Sequence, residues 1–503
     1  MIRQLFKDSA KYLPSMVVPA LVGIISIPIK TRLFPPEVYG TYVLVITTVS
    51  LLSAIAVAWI GSSTIRFYPA YELKGELYKF YSVLLKLTTF SVGIISILSL
   101  IVLFLLKTKV SNSLHFLMYI GVTLFIVNSF WSVFLNFLRA KREVTWYSIL
   151  SIWKSIAGLG IGIAIVLILH TGVEGLLSGD IISIAIAIPL LWKIFLGMPP
   201  FLKDGNIRSQ MGREIAKYGI PAMSINILSW AQSLSDRYIL QFFRGSMEVG
   251  VYSPNYTIAE HGIFLITSLF LLSSTPIGFN IWEKQGVKAS KEFMSKLTRY
   301  YLLIGIPATV GLCLLAKPIT HVLVAPQYYA GYRIIPLVAS GAFLVGVAHR
   351  FTIGLSYYKR TDLLMLCYLG SVVLNVILNL LFIPRYGYMA AASTTFVSYA
   401  FLLLSTIFVS RRYFIWEFPF KSLAKVTFAS IVMALALYYF GNSITSTTLL
   451  NLIIVVFIGI VVYFVTLFLV GGYQKKEIQA FCALWTKVFK NQKASNKGWN
   501  RLS

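Results

Sequence analysis

Lys154, Arg237 and Arg350 stand inside long apolar segments. A charge there costs at least ~2.5–3.5 kcal/mol on insertion scales, so each needs a reason. Lys154 is followed at i+4 and i+8 by Gly158 and Gly162, a small-residue face that favours close helix packing. Its ammonium is therefore expected inside a bundle or a wet cavity. Arg350 follows His349 about two turns into its segment. Arg237 follows Asp236 at the end of a polar stripe at helical spacing, Asn226, Ser229 and Ser233. Cations lining a cavity suit a phosphate-bearing substrate, and a guanidinium can hold two of its oxygens at once. Lys30 and Arg32, nearer a segment end, complete the candidate cationic set.

The candidates for handling a coupling ion are Asp180, Asp236, Glu260 and His261, all in apolar segments. Glu260 shares a helix face with Tyr252 and Tyr256. Two structural readings stand beside the functional ones. Asp236–Arg237 equally fits an ion pair or cap at a helix end. Ser371, Asn375 and Asn379 fit interhelical hydrogen bonding better than ligand contact.

Other chemistry is missing. The chain has no G-x-x-x-x-G-K-[ST], no H-E-x-x-H and no G-x-S-x-G. Cys313, Cys367 and Cys482 lack metal-ligand spacing. No cofactor or metal is implied, and the chain reads as a non-enzyme. Glu260 and His261 are adjacent, so they project about 100° apart on a helix and make a poor acyltransferase pair. A polysaccharide polymerase would be expected to have a large outer loop, and every connector on that side is short. Energy must then come from an ion gradient, the membrane potential or a substrate gradient.

The elements that position these residues follow from composition. Hydrophobic residues make up 57% of 503 positions and charged ones 12%, with a mean hydropathy of +0.79. That is an integral membrane protein. Fourteen apolar stretches recur, at roughly 13–33, 41–60, 81–106, 114–138, 147–169, 175–196, 216–240, 252–275, 297–324, 334–357, 363–383, 388–409, 423–440 and 449–470. Lys and Arg test the count independently. With both ends inside, the inner connectors and termini hold thirty-one basic residues and the outer connectors six. Adding or dropping one span would reverse every later loop, so both termini are expected in the cytoplasm of a plasma-membrane protein. The net charge of +27 thus reports topology and not nucleic-acid binding. The amphipathic stretch around 477–489 reads as a helix resting on the anionic inner leaflet.

The chain also repeats itself. Lys11-Tyr12-Leu13-Pro14 answers Lys217-Tyr218-Gly219-Ile220-Pro221, and Glu37-Val38-Tyr39-Gly40-Thr41-Tyr42 answers Glu248-Val249-Gly250-Val251-Tyr252. Lys141-Arg142 answers Lys359-Arg360, and Gly172 answers Gly387. The offset spans six passes, so the halves are parallel repeats. The expected architecture is all-α: two six-helix bundles around a central cavity, plus two C-terminal helices. The boundaries are 1–210, 211–415, 416–470 and a basic cytoplasmic tail, 471–503.

Three stretches carry a family resemblance. They are Tyr218-Gly219-Ile220-Pro221 with Ser235-Asp236-Arg237-Tyr238-Ile239-Leu240 and Val249-Gly250-Val251-Tyr252-Ser253; Asn375 and Asn379 with Ile383-Pro384-Arg385-Tyr386-Gly387 and Met389-Ala390-Ala391-Ala392; and Thr31-Arg32-Leu33-Phe34-Pro35-Pro36-Glu37-Val38-Tyr39-Gly40. From about Lys11 to Val409 the chain resembles the polysaccharide flippases of the O-antigen or repeat-unit (Wzx) type, in the multidrug/oligosaccharidyl-lipid/polysaccharide (MOP) superfamily. Met389 departs from the glycine usual there. The resemblance implies alternating access and a cationic cavity. Its substrate would be a polyprenyl-pyrophosphate-linked oligosaccharide moved from the inner to the outer leaflet, with polysaccharide polymerase machinery as a possible partner. Lys154, Arg237 and Arg350 then become pyrophosphate contacts, and only Arg237 sits within a matching motif. A multidrug/cation antiporter of the same superfamily would prefer an acidic cavity, against the surplus of buried cations here. A lipid II flippase stays open.

Overall fold

In hydrocarbon no water meets the backbone, so every N–H and C=O must pair within the chain, and helices are the result. The computed structural model of the chain describes residues 2–108, 111–195, 209–443 and 448–473. Among these are fourteen α-helices, one 3-10 helix and no strand. The first half holds α1 (Ile2–Leu33), α2 (Pro36–Leu73), α3 (Leu77–Leu105), α4 (Asn112–Ala140), α5 (Val144–Leu169) and α6 (Glu174–Phe195). The second holds α7 (Gln210–Leu234), α8 (Asp236–Arg244), α9 (Ser246–Leu314), α10 (Ala316–Leu323), the 3-10 helix (Pro326–Ile334), α11 (Ile335–Tyr357) and α12 (Thr361–Ser410). α13 (Phe420–Ser443) and α14 (Leu449–Leu469) follow. The tail stretch 477–489 and Cys482 lie outside the described residues.

Among the described residues eleven helices are long and apolar enough to cross a membrane. Two of these hold two passes each. The 69 residues of α9 would run about 100 Å if straight, against ~30 Å of hydrocarbon. They fold back at Gly286 (φ 77°, ψ −168°), a backbone state open to glycine and strained for other residues. Across that turn Phe293 packs beside Gly278 and Tyr301 bonds Thr267 at 3.0 Å. α12 folds back in the same way at Gly387 (φ 59°, ψ −143°). A further pass is α7 continued by α8, whose polar stripe keeps it outside the eleven. The fourteen passes expected from sequence are therefore present.

α1 to α6 pack among themselves, as do α7 to α12, and α13 pairs with α14 against α9 and α10. The lipid-facing surface is apolar: Phe104 on α3 and Phe457, Phe464 and Phe468 on α14 are exposed. The interior carries the polar groups, with Ser63, Thr88, Ser129, Asn255 and Asn379 fully buried. The halves meet mainly along α2, which touches α7 and α9. At one end Tyr328 OH donates to Phe34 O at 2.7 Å, and Ala325 N to Thr31 Oγ1 at 3.3 Å. Midway, Thr48 and Tyr238 share a 2.7 Å hydrogen bond, and Trp230 Nε1 donates to Ser50 at 2.9 Å. At the other end Ser63 Oγ donates to Ile215 O at 3.0 Å, and Tyr71 OH to Glu214 at 3.1 Å. The two bundles thus touch at both ends of α2.

Candidate functional site

α5 and α6 approach closely because small residues face each other. A Cβ on Gly162 would lie 3.1 Å from Leu176 Cα, and Gly179 sits directly against Gly162. The Asp180 carboxylate rests against Gly158, in the room that a side chain there would take. One turn earlier, Lys154 donates to Asn128 Oδ1 on α4. From α1, Lys30 Nζ donates to Tyr42 OH at 3.0 Å and lies 4.9 Å from that ring's centroid. Lys30, Tyr42 and Asp180 line one cavity of about 190 Å³ with Ser26, Ser155 and Gly158. Lys30 and Lys154 are the charged groups that act on Asp180. Both ammonium groups donate elsewhere. Among the described residues the carboxylate accepts no hydrogen bond. The structure thereby joins three expected site residues, Lys30, Lys154 and Asp180, that lie 26 to 150 positions apart in sequence.

A second polar cluster forms where α7 gives way to α8. Asp236 and Arg237 open α8 and are 2% and 4% exposed. Arg237 donates to Asp236 Oδ1 at 3.3 Å and to Ser233 O at 2.8 Å. Its guanidinium lies 4.9 Å from the Tyr256 ring centroid and 5.8 Å from that of Tyr252. The Tyr252 hydroxyl donates to Asp236 Oδ2. Glu260, one turn past Tyr256, interacts electrostatically with Arg237, Asp236 and His261. His261 Nδ1 pairs with Thr257 O at 3.1 Å. Arg237 is thus held by an internal counter-ion and two rings. Beside it the Ser371–Asn375–Asn379 stripe bonds the second arm of α12: Ser371 to Ser398 O at 2.7 Å, Asn375 to Ser398 at 3.2 Å, and Asn379 accepting from Thr394. That stripe serves helix packing.

Arg350 is different. It is 0% exposed, and none of its three guanidinium nitrogens has a hydrogen-bond partner. Its surroundings are the Tyr301 ring, 4.7 Å to the centroid, and the Phe270 ring at 5.5 Å. Thr298 and Tyr357, also buried, likewise leave their hydroxyls unpaired.

Arg32, exposed, donates to Pro28 O at 3.4 Å and across the halves to Val322 O at 3.2 Å. It meets the last turn of α10, where free carbonyls favour a cation, and stands apart from the cavity. Arg299, at the start of the 297–324 stretch, is marked by no motif. It is buried, 5% exposed, and donates to Ser422 Oγ at 3.2 Å and Gly472 O at 2.9 Å, tying α9 to the starts and ends of the last two passes. Asn128, Tyr42, Phe270 and Tyr301 were also missed; no motif marks them, and only contact between distant helices reveals them. Between α9, α13 and α14 lies an apolar cleft of about 410 Å³, lined by residues such as Ile304, Leu312, Leu437, Val456 and Phe464. Among the described residues no cluster of three His, Cys, Asp or Glu could hold a metal ion.

Twelve passes in two like bundles, each with charged groups in its interior, and two further passes define a transporter-type fold. The chain belongs to the polysaccharide biosynthesis protein family, whose model matches residues 5–282. It is 26% identical over 282 residues to an uncharacterized membrane protein of Methanocaldococcus jannaschii, covering 54% of this chain and 52% of that one. It is 22% identical over 258 residues to the probable low-salt glycan biosynthesis flippase Agl15 of Haloferax volcanii, covering 50% and 53%. The chain spans about half the length of these curated relatives. In fold it is similar to the lipid II flippase MurJ in its inward closed conformation, with a TM-score of 0.71 and 17% identity over 92% of this chain and 98% of that one. A multidrug resistance MATE family transporter of the MOP superfamily, inward-facing, shares the fold at a TM-score of 0.59 and 12% identity, over 81% and 93%.

Proposed function

We propose that this protein is a flippase that moves a polyprenyl-pyrophosphate-linked oligosaccharide from the inner to the outer leaflet for cell-surface polysaccharide assembly. The observation that carries the reading is Arg350, a sealed guanidinium with five N–H donors and no acceptor. An intramembrane charge without a partner is a functional site by default, and a phosphate group is the ligand whose two oxygens match that fork. Lys30 and Lys154, in the first bundle, face the Asp180 carboxylate and are not assigned to the phosphate. Arg237 and Arg32, committed to internal partners, hold structure. The apolar cleft beside α13 and α14 suits the polyprenyl chain, and the family and the flippase Agl15 support the substrate class.

The bundles 1–210 and 211–415 are proposed to rock about the α2 seam, presenting the site to each leaflet in turn. Both termini are placed in the cytoplasm by the excess of Lys and Arg in the inner connectors. Asp236 and Glu260, two carboxylates sharing Arg237, are the proposed seat of a coupling ion.

The test is leaflet-specific movement of a fluorescent polyprenyl-pyrophosphate oligosaccharide in proteoliposomes, with wild type, Arg350→Ala and Arg237→Ala. Movement that collapses in Arg350→Ala with the fold intact supports the reading. Movement surviving that change discards Arg350 as the contact. Efflux of a small organic cation without glycan movement would make the protein an antiporter.

A further inference from the structure

The cavity in the first bundle is built for something other than phosphate. At about 190 Å³ it is larger than a cavity of about 150 Å³ that takes a benzene ring, the scale of a single sugar ring. Its charges select against the simpler ligands. The Asp180 carboxylate turns away a bare anion. Lys30 and Lys154 together turn away a bare metal cation. What remains is a neutral group offering donors and acceptors side by side.

The unused hydrogen-bonding capacity of the walls has that mixture. Lys30 Nζ spends one of its three protons on Tyr42 OH, which leaves two, and frees the Tyr42 hydroxyl to donate its own. Asp180 is an acceptor that receives nothing. Ser26 and Ser155 donate to Gly23 O and Ser151 O in their own helices, so their lone pairs remain to accept. Adjacent sugar hydroxyls need this arrangement: each donates to Asp180 or a serine while accepting from Lys30 or Tyr42. Pro19 and Leu176, also in the wall, offer an apolar surface to the C–H face of a ring.

From this arrangement we infer that Lys30, Tyr42, Asp180, Ser26 and Ser155 form a monosaccharide subsite that reads one sugar of the lipid-linked glycan. It rests on the flippase reading and gives Asp180 a specificity role in place of ion coupling. Gly158 is part of the subsite, because its bare Cα leaves the carboxylate its place.

The experiment measures binding of the purified full-length protein in nanodiscs to farnesyl pyrophosphate, and to the same lipid bearing one glucose, galactose or N-acetylglucosamine. Wild type is expected to prefer at least one sugar-bearing lipid about tenfold or more, since a hydrogen bond to a charged group is worth that factor. Asp180→Asn is expected to abolish the preference. Ser155→Ala, which leaves every charge in place, is expected to reduce it about two- to tenfold, and it carries the test where Asp180→Asn fails to fold. Equal binding of all four lipids by wild type overturns the subsite, as does an equal loss for sugar-bearing and bare lipids in Asp180→Asn. Absence of binding to any pyrophosphate lipid, bare or glycosylated, overturns the flippase reading itself.

Discussion

Gly40 and Gly250 meet backbone to backbone: a Cβ on Gly40 would lie 2.9 Å from Gly250 N, and one on Gly250 would lie 2.9 Å from Pro36 Cα. These glycines occupy matching places in the two copies of the internal repeat. Equivalent segments therefore touch each other at one end of α2, as in a contact across a two-fold axis. The seam is tight because both partners lack a side chain.

Substituting Gly250→Val should wedge that seam open. Overpacking costs about 1–3 kcal/mol, and separating the bundles at that end relieves it. Ala325→Cys, at a position 6% exposed, should resist a membrane-impermeant maleimide in the parent and react with it in the Gly250→Val background. Equal protection in both would show that the seam is no gate.

Removing the Arg350 charge should separate stability from function. A buried ion carries a desolvation penalty of several kcal/mol that no partner offsets here, and an apolar side chain of similar length removes it. Arg350→Met should therefore melt at or above the wild-type temperature while losing glycan movement. A sharp fall in melting temperature would mean that the Tyr301 and Phe270 rings make the guanidinium a packing element.

Arg237 should behave in the opposite way. Arg237→Ala strands the buried Asp236 without its counter-ion, a loss of about 3–5 kcal/mol. Expression and thermal midpoint should fall. The double change Asp236→Asn with Arg237→Gln should recover much of both, because it leaves no unpaired charge.

Arg299→Ala should loosen the last two passes. It deletes the hydrogen bonds to Ser422 and Gly472, each worth about 1.5–3 kcal/mol when the donor is charged. Amide exchange should rise in 420–472 and stay unchanged in 36–73. A uniform rise would indicate global destabilisation instead.

The sequence by itself determined the environment, the number of passes and the kinship of the halves. Hydrocarbon allows one backbone solution, so length and apolarity read directly as Leu13–Leu33 or Leu449–Val470, and Lys and Arg mark the connectors between them. Gly387 falls between the expected passes 363–383 and 388–409, so the place of its turn was legible, whereas nothing marked Gly286. Burial and partnership were not legible, because they depend on helices that meet from distant parts of the chain. Arg237 and Arg350 are each a cation in an apolar run, and sequence offers Asp236 beside the first. Tertiary structure added two tyrosines to that pair, and left the other with rings and no acceptor. Lys30 and Asp180, 150 positions apart, share a cavity only because α1, α5 and α6 converge there. Arg299, unmarked in sequence, is buried because the start of α13 and the end of α14 meet it. Local spacing records which face of a helix a side chain occupies, and only packing decides what that face meets.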